Sequence, residues 1–578
     1  MNKYQERIEQ LRAMMRSKGW DAVIVTGADP HESEFPAERW KQVEWLTGFT
    51  GEAGDVVVTL DHAGLWTDTR YFIQAVQQLE GTGVVLHKTR VPEQVLIPEW
   101  LDGALDEEDA VVAVDGLCQS ADAIKALPSR FAVVSVPDML EPLWPDRIGI
   151  PCTPVFEVQT GESRESKLRW LRETIAEKGC GSILLTALDD IAWVLNVRAS
   201  DIEYNPFVIS YLLVDRDGAR WFVHDNDLDL PDVEILPYED VEMALSDIEG
   251  RLFVDTSTLN YHLLSILEQC GVDLFCGDSP VQLRKSVKNP VEIERMRAIH
   301  IQDGVAMEKF LYWLEKSLDA DRRVTEWDAA LKLGQYRSEI DGYMGDSFET
   351  ISAYGKSAAL PHYITPRHDA PVLEDHGLYL CDAGGQFESG TTDITRTVPL
   401  GECTRLEMED YTLVLKGHID LAMAVFPAGT AGCQLDALAR APLWSSKRNF
   451  GHGTGHGVGF FLGVHEGPQD IRQNFNRTPL LPGMITSDEP GIYREGLHGV
   501  RHENLILCVE AGKNDFGRWL AFEPLTLCHF DTSVLLAEML TDAERQWLND
   551  YHRKVYDTLA PLLPQEVAQW LKLKTAEI

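Results

Sequence analysis

The hydrophobic pattern of the first half of the chain occurs twice. LRAMMRSKGWDAVIVTGAD at 11–29 and LRETIAEKGCGSILLTALD at 171–189 share Leu, Arg, Lys, Gly, Thr and Asp at six positions, each pair 160 residues apart. In both segments apolar residues at helical spacing lead to a glycine suited to a helix C-cap, and a short apolar run then reads as a buried strand. A Trp-apolar pair follows in each copy, Trp45-Leu46 and Trp193-Val194, and later a turn with an aromatic strand, LDHAGLWTDTR at 60–70 and VDRDGARWFVHD at 214–225. The tryptophan offset drops to 148, so the first copy holds about twelve extra residues, which we assign to the polar stretch DPHESEFPAERW. The repeat predicts two related α/β domains, 1–155 and 156–288.

The pattern changes at KNPVEIERMR. Asn289 is placed to N-cap a helix, Pro290 suits its first turn and Glu292 completes a capping box. The mixed apolar and charged residues that follow predict a long helix to about Leu318. Beyond it, Gly-rich strand-and-turn patterns dominate 350–510, and eleven of the seventeen histidines lie after residue 301. A third domain, 289–578, is where chemistry is expected.

Composition narrows the class. The 578 residues are 44% hydrophobic and 25% charged, as in ordinary globular proteins, and long enough for about three or four domains. Lys and Arg number 52 against 92 Asp and Glu, a formal charge of −40. Such a surface repels phosphate backbones and anionic lipid, which argues against nucleic acid and membrane partners. The ten cysteines form no C-x-x-C pair, and neither an apolar leader nor a run of about 18 apolar residues is visible. These features predict a cytoplasmic protein.

Five segments carry the candidate site. LYLCDAGG at 378–385 and GTTDITRT at 390–397 each read as a strand with one inward aspartate, Asp382 and Asp393, which a short turn would bring face to face. Asp382 follows an apolar run, where an unpaired carboxylate is costly. GHGTGHGVGFFLGVHEGP at 451–468 holds His452, His456 and His465. Its glycines exclude a helical zinc motif and instead let the backbone approach a ligand closely. ITSDEPGIY and VRHENLIL add Glu489, before a Pro-Gly turn, and Glu503, within an apolar strand. Four carboxylates do not converge in a dry site without cations, because like charges disfavour one another's ionisation. Two divalent ions would balance them. The oxygen-rich set with one imidazole favours Mn²⁺, with Zn²⁺ and Co²⁺ as alternatives.

The order Asp, Asp, His, Glu, Glu, with DAGG, TTDITRT, HGTGHGVG, DEPG and RHEN, resembles the pita-bread metallopeptidases. That group includes methionine aminopeptidase, prolidase, creatinase and aminopeptidase P. Two related N-terminal domains, with LWTDTRYFIQA, TALDDIAWVLNVRASDIEYNP and LAFEPLTL, extend the resemblance to the long form of aminopeptidase P. It implies an α/β (α+β) fold: two creatinase-like N-terminal domains, then a pita-bread catalytic domain. It implies that Asp382 binds one metal, Asp393 and Glu503 bridge two, His456 binds the second, and Glu489 is both ligand and proton acceptor from a bridging hydroxide-forming water. His362, in LPHYIT, together with His452 and His465, matches the family's histidines at the scissile bond and proline subsite. The implied substrates are peptides beginning Xaa-Pro, the implied assembly is a homodimer, and Xaa-Pro dipeptidase is the alternative activity. One departure stands out: His502 occupies the position that precedes the last ligand and is usually apolar. In a strand it would point away from Glu503.

Overall fold

The sequence repeat builds two sheets of identical strand order in the computed structural model, which describes residues 2–224, 226–320 and 322–578. The last residue of the second aromatic segment, Asp225, lies outside the described residues. In the first sheet the strands run Val85–Lys88, Ala63–Thr67, Asp55–Thr59, Ala22–Val25, Val111–Val114, Ala132–Ser135. In the second they run Glu234–Pro237, Ala219–Val223, Ser210–Asp215, Ser182–Leu185, Arg251–Val254, Asp273–Cys276. Ala22–Val25 and Ser182–Leu185 play the same part: each is antiparallel to the neighbour on one side and parallel to that on the other. Helices Lys3–Lys18 and Arg164–Glu177 precede them, each burying the shared leucine, Leu11 or Leu171. Each is followed by a glycine at φ near +70° to +75°, Gly19 and Gly179, a conformation that a side chain would strain. The extra residues of the first copy form a loop and the 3-10 turn Glu38–Trp40. They carry His31, whose Nδ1–H donates to the Thr186 carbonyl at 2.9 Å while Nε2 accepts from the Tyr238 hydroxyl at 2.9 Å.

The chain divides into two compact units, residues 1–282 and 283–578. The second opens with helix Pro290–Asp319, capped by Asn289 in a box with Glu292 as the sequence predicts. The helix packs Met307, Phe310, Leu311 and Leu314 into a core shared with Val414, Leu415 and Ile419 of helix Arg405–Ala422 and Val555 of helix Asp542–Leu559. Two of the antiparallel sheets in this unit carry the acidic residues. One pairs Ile351–Tyr354, Leu378–Ala383 and Ile394–Pro399; the other pairs Val425–Pro427, Gly517–Pro524, Asn504–Asn514 and Ile485–Asp488. Among the described residues no helix is long and apolar enough to cross a membrane.

Behind the core, His552 is fully buried. Its Nε2 accepts from the Phe530 N–H at 3.1 Å and its Nδ1 has no partner. Burial, reinforced by His529 and Arg396 and opposed by Asp531, pushes its pKa down to about 3. The unfolded chain therefore binds this proton first, so the stability His552 contributes at neutral pH is lost as pH falls below about 6.5, at up to about 1.4 kcal/mol per pH unit. Thermal melting of wild type and His552→Gln between pH 7 and 4 checks this. The gap in Tm narrows toward pH 4, and a constant gap would contradict it.

Candidate active site

Strand pairing brings the acidic residues together by register. Asp488 pairs with Asn504, so Glu489 and Glu503 leave the same end of one ladder. In the other sheet Asp382 pairs with Thr395, and Ala383 with Ile394. Asp393, one residue before Ile394, is thus diagonal to Asp382 on the same face, the arrangement in which side chains of two strands meet. The Glu503 N–H donates to the Thr395 carbonyl at 3.1 Å, and the Thr395 hydroxyl donates to Glu503 Oε2 at 2.7 Å. These two bonds tie the ladder ends of the separate sheets to each other.

Two sequence expectations change here. Asp393 and Glu503 do not lie within strands. The first sits between Gly390–Thr391 and Ile394–Pro399, the second between His498–Arg501 and Asn504–Asn514. At Glu503 the backbone leaves its own ladder: its N–H donates to the Thr395 carbonyl of the other sheet and its carbonyl accepts from the Arg396 guanidinium. His502, equally outside a strand, is directed by packing instead of pleat: its ring meets Tyr411 edge-on at 4.4 Å and Phe530 at 5.6 Å.

His456 supplies the nitrogen. Its Nδ1–H donates to the Gly457 carbonyl at 3.0 Å, which fixes the ring and turns Nε2 toward the carboxylates. That atom faces Asp393 Oδ2 at 3.5 Å and Glu489 Oε1 at 3.6 Å. The glycine-rich loop is what permits the approach: a Cβ on Gly455 would lie 2.0 Å from the Ser487 carbonyl oxygen, and one on Gly457 would lie 2.0 Å from that of Glu466. Glu466 in turn holds the loop through a buried ion pair with Lys288 at 2.6 Å.

The remaining predicted residues lie around this group. His465 packs its ring edge-on against His456 at 4.2 Å. His452 donates from Nδ1 to the Gly453 carbonyl at 2.7 Å, so its Nε2 accepts from the Tyr493 hydroxyl at 2.8 Å. Tyr493 accepts from Arg501 Nη1 at 2.7 Å, and Arg501 also forms a buried ion pair with Asp382. A chain thus runs from Asp382 through Arg501 and Tyr493 to His452. Burial, with Arg501, Arg440 and His362 nearby, holds His452 well below the usual imidazole range and keeps it neutral. Arg501 and Tyr493 join the site without being marked by the sequence, although they lie inside the motifs RHEN and ITSDEPGIY. So does His418, fully buried, which donates to the Asp488 carbonyl at 3.0 Å and accepts from Asn504 at 3.2 Å. It clasps the ladder end from which Glu489 and Glu503 emerge, and no local motif marks it.

The model of the family described as metallopeptidase family M24 matches residues 294–510, and that of the C-terminal region of the same peptidases matches 518–578. Two creatinase/prolidase N-terminal domain models match 7–147 and 145–292. A probable Xaa-Pro aminopeptidase P of Coprinopsis cinerea is 36% identical, over 99% of this chain and 98% of its own. The chain belongs to metallopeptidase family M24, in its aminopeptidase P branch. Within that branch, aminopeptidase P2 of Arabidopsis thaliana is 35% identical over 98% of this chain and 87% of its own. A crystal structure of an X-prolyl aminopeptidase from Caenorhabditis elegans, a cytosolic enzyme with a di-nuclear active site, has a TM-score of 0.96 at 34% identity and covers 100% of both chains.

The site of this M24 chain fits divalent cations. Donor atoms of Asp393, His456 and Glu503 all lie within 4.8 Å of one another. Asp382 Oδ1 and Glu503 Oε1 are buried with no hydrogen-bond partner, a costly state unless a cation satisfies them. His456 Nε2 stands 3.5 Å from Asp393 Oδ2 and 3.6 Å from Glu489 Oε1, so one cation placed among them would meet all three donors. The pKa values carry the same message. Burial first, then Asp393, Glu489 and Asp382, drives Glu503 well above the carboxylate range. Burial pushes Glu489 up to about 7, against the pull of His456 and Arg501. Asp382 is raised by burial although Arg501 opposes the shift.

Proposed function

We propose that this protein is a metal-dependent aminopeptidase that releases the N-terminal residue from peptides with proline at the second position. The observation that carries the reading is His456, whose Nδ1–H is held by the Gly457 carbonyl and whose Nε2 faces Asp393 and Glu489 at 3.5 and 3.6 Å. Asp382, Asp393, His456, Glu489 and Glu503 would hold two divalent ions, Mn²⁺ first and Zn²⁺ or Co²⁺ as alternatives, consistent with an oxygen-rich donor set. Bound there, a pair of such ions supplies Lewis acidity, lowering the pKa of water and polarising a carbonyl.

The chain's own residues do the rest. The side chains of His456 and Glu489 are 13% and 18% exposed, against 5% for Asp393, so the substrate meets the site on their side. Glu489 is the proton acceptor from the attacking water, because at 18% exposure its side chain is more open to solvent than those of Asp382 and Asp393, at 10% and 5%. His452 has both ring nitrogens engaged and acts by holding the Tyr493 hydroxyl and, through it, Arg501. His362 and His465 flank the scissile bond and the proline ring. Proline lacks an N–H and has a fixed φ, so a shaped apolar pocket selects it without hydrogen bonding. We assign 1–155 and 156–288 to the two N-terminal domains and 289–578 to catalysis, and expect a cytoplasmic homodimer.

Full-length protein stripped with chelator and reloaded with Mn²⁺ tests this on Xaa-Pro and Xaa-Pro-Xaa. Hydrolysis of the tripeptide after its first residue is the expected result. Hydrolysis confined to the dipeptide would replace this reading by an Xaa-Pro dipeptidase, and a fully loaded protein inert on both would end it.

A further inference from the structure

Among the described residues, two groups of three metal-capable side chains have donor atoms mutually within 4.8 Å. One is Asp393, His456 and Glu503, the centre just described. The other is Glu308, Cys528 and His529, which plays no part in it. All three are essentially inaccessible, at 0%, 0% and 1% exposure. The geometry points to a third metal site here, mononuclear and structural, formed by the Glu308 carboxylate, the Cys528 thiolate and the His529 imidazole, and taking Zn²⁺ or Co²⁺ in preference to Mn²⁺.

The arrangement is already rigid. The His529 N–H donates to Glu308 Oε1 at 2.8 Å, and His529 Nδ1 lies 2.8 Å from Glu308 Oε2. Arg396 donates to the carbonyls of Cys528 at 2.8 Å and His529 at 3.1 Å, fixing the segment that carries two of the donors. Trp570 packs edge-on against the His529 ring at 5.2 Å. A cavity of about 60 Å³, walled by His529, Leu311, Leu314, Asp531, Trp570 and Lys574 among others, lies against the His529 side of the cluster and has room for water.

Charge and donor type decide the metal. One divalent ion with one thiolate and one carboxylate is neutral overall, the condition under which a fully buried ionic group is tolerated. A thiolate and an imidazole suit Zn²⁺ and Co²⁺, whereas Mn²⁺ prefers oxygen donors, which the dinuclear centre provides and this cluster provides only once. Burial and the neighbouring Glu308 keep the Cys528 thiol protonated in the absence of metal. Binding therefore releases the thiol proton to solvent, so affinity rises with pH. The ion would fasten the middle of helix Pro290–Asp319 to the segment at 525–531, two elements far apart in the chain.

Cobalt titration of the full-length, metal-stripped protein tests the proposal. None of the ligands assigned to the dinuclear centre is a sulfur, so a near-ultraviolet thiolate-to-cobalt charge-transfer band reports this cluster and not that centre. The expected result is such a band, saturating at one Co²⁺ per chain, with three bound ions in total; loading with Mn²⁺ gives two. Cys528→Ser and Glu308→Gln should each lower the total to two, Cys528→Ser should abolish the band, and both should leave Mn²⁺-supported hydrolysis unchanged. Asp393→Asn should keep the band. Wild-type protein that shows no band at three or more equivalents of Co²⁺, or a band that persists in Cys528→Ser, would overturn the site; the wild-type spectrum decides this even if a variant fails to fold.

Discussion

Replacing Glu489 by alanine is expected to lower kcat on an Xaa-Pro tripeptide by about 10⁴-fold, the upper range for loss of a positioned proton acceptor. Two roles are lost together. Glu489 leaves the ladder end beside Glu503, where we propose that it binds metal, and its side chain stays partly open to solvent, as a proton acceptor requires. The variant should also hold its metal less tightly, so occupancy has to be measured beside rate. His452→Ala provides the contrast. It removes the partner that orients Tyr493 without removing a ligand, so we expect about a 10²-fold loss with two ions still bound. Steady-state kinetics with elemental analysis of the same samples separates the two. A Glu489→Ala enzyme within tenfold of wild type would remove this residue from the chemistry.

The second large effect is on stability. Arg396 is fully buried and has no carboxylate partner at hydrogen-bonding distance among the described residues. It donates to the carbonyls of Thr395 at 2.9 Å, Glu503 at 2.6 Å, Cys528 at 2.8 Å and His529 at 3.1 Å, and to the Asn504 side chain at 2.8 Å and the Tyr551 hydroxyl at 3.0 Å. Its guanidinium carbon lies 4.0 Å from the Phe530 ring centroid. Methionine fills the volume but strands several buried acceptors, each costing about 1–3 kcal/mol. The expected loss is about 5 kcal/mol, a fall in Tm of about 10 °C. Lysine should rescue little, because one ammonium cannot reproduce a planar fork reaching six acceptors. Differential scanning calorimetry of Arg396→Met and Arg396→Lys measures both. A drop under about 3 °C for methionine would show that the network is not what holds these segments.

The way Arg396 was overlooked shows where sequence reasoning stops. It lies inside TTDITRT, three residues after Asp393, yet nothing local distinguishes a surface arginine of a strand from one that closes a core. Its six acceptors span residues 395 to 551, and only folding assembles them. His418 is the same case: a histidine in a helix, whose partners Asp488 and Asn504 are 70 and 86 positions away.

Where information is local or periodic, the sequence was sufficient. The 160-residue repeat foretold two sheets of one strand order, because a helix, a glycine in the left-handed region and an apolar strand are each encoded within a few residues. The capping box at Asn289 marked the start of helix Pro290–Asp319 for the same reason. The acidic and histidine motifs single out the residues that we propose as ligands, because paired carboxylates need cations wherever they converge. Tertiary structure alone decided that Asp393 and Glu503 sit at breaks between strands and that His502 turns toward Tyr411 and Phe530. It also decided that Glu308, 220 positions from Cys528, stands beside a thiol and an imidazole. Each of these depends on which distant elements share a core, and a side chain's neighbours across a core leave no trace in the residues adjacent to it.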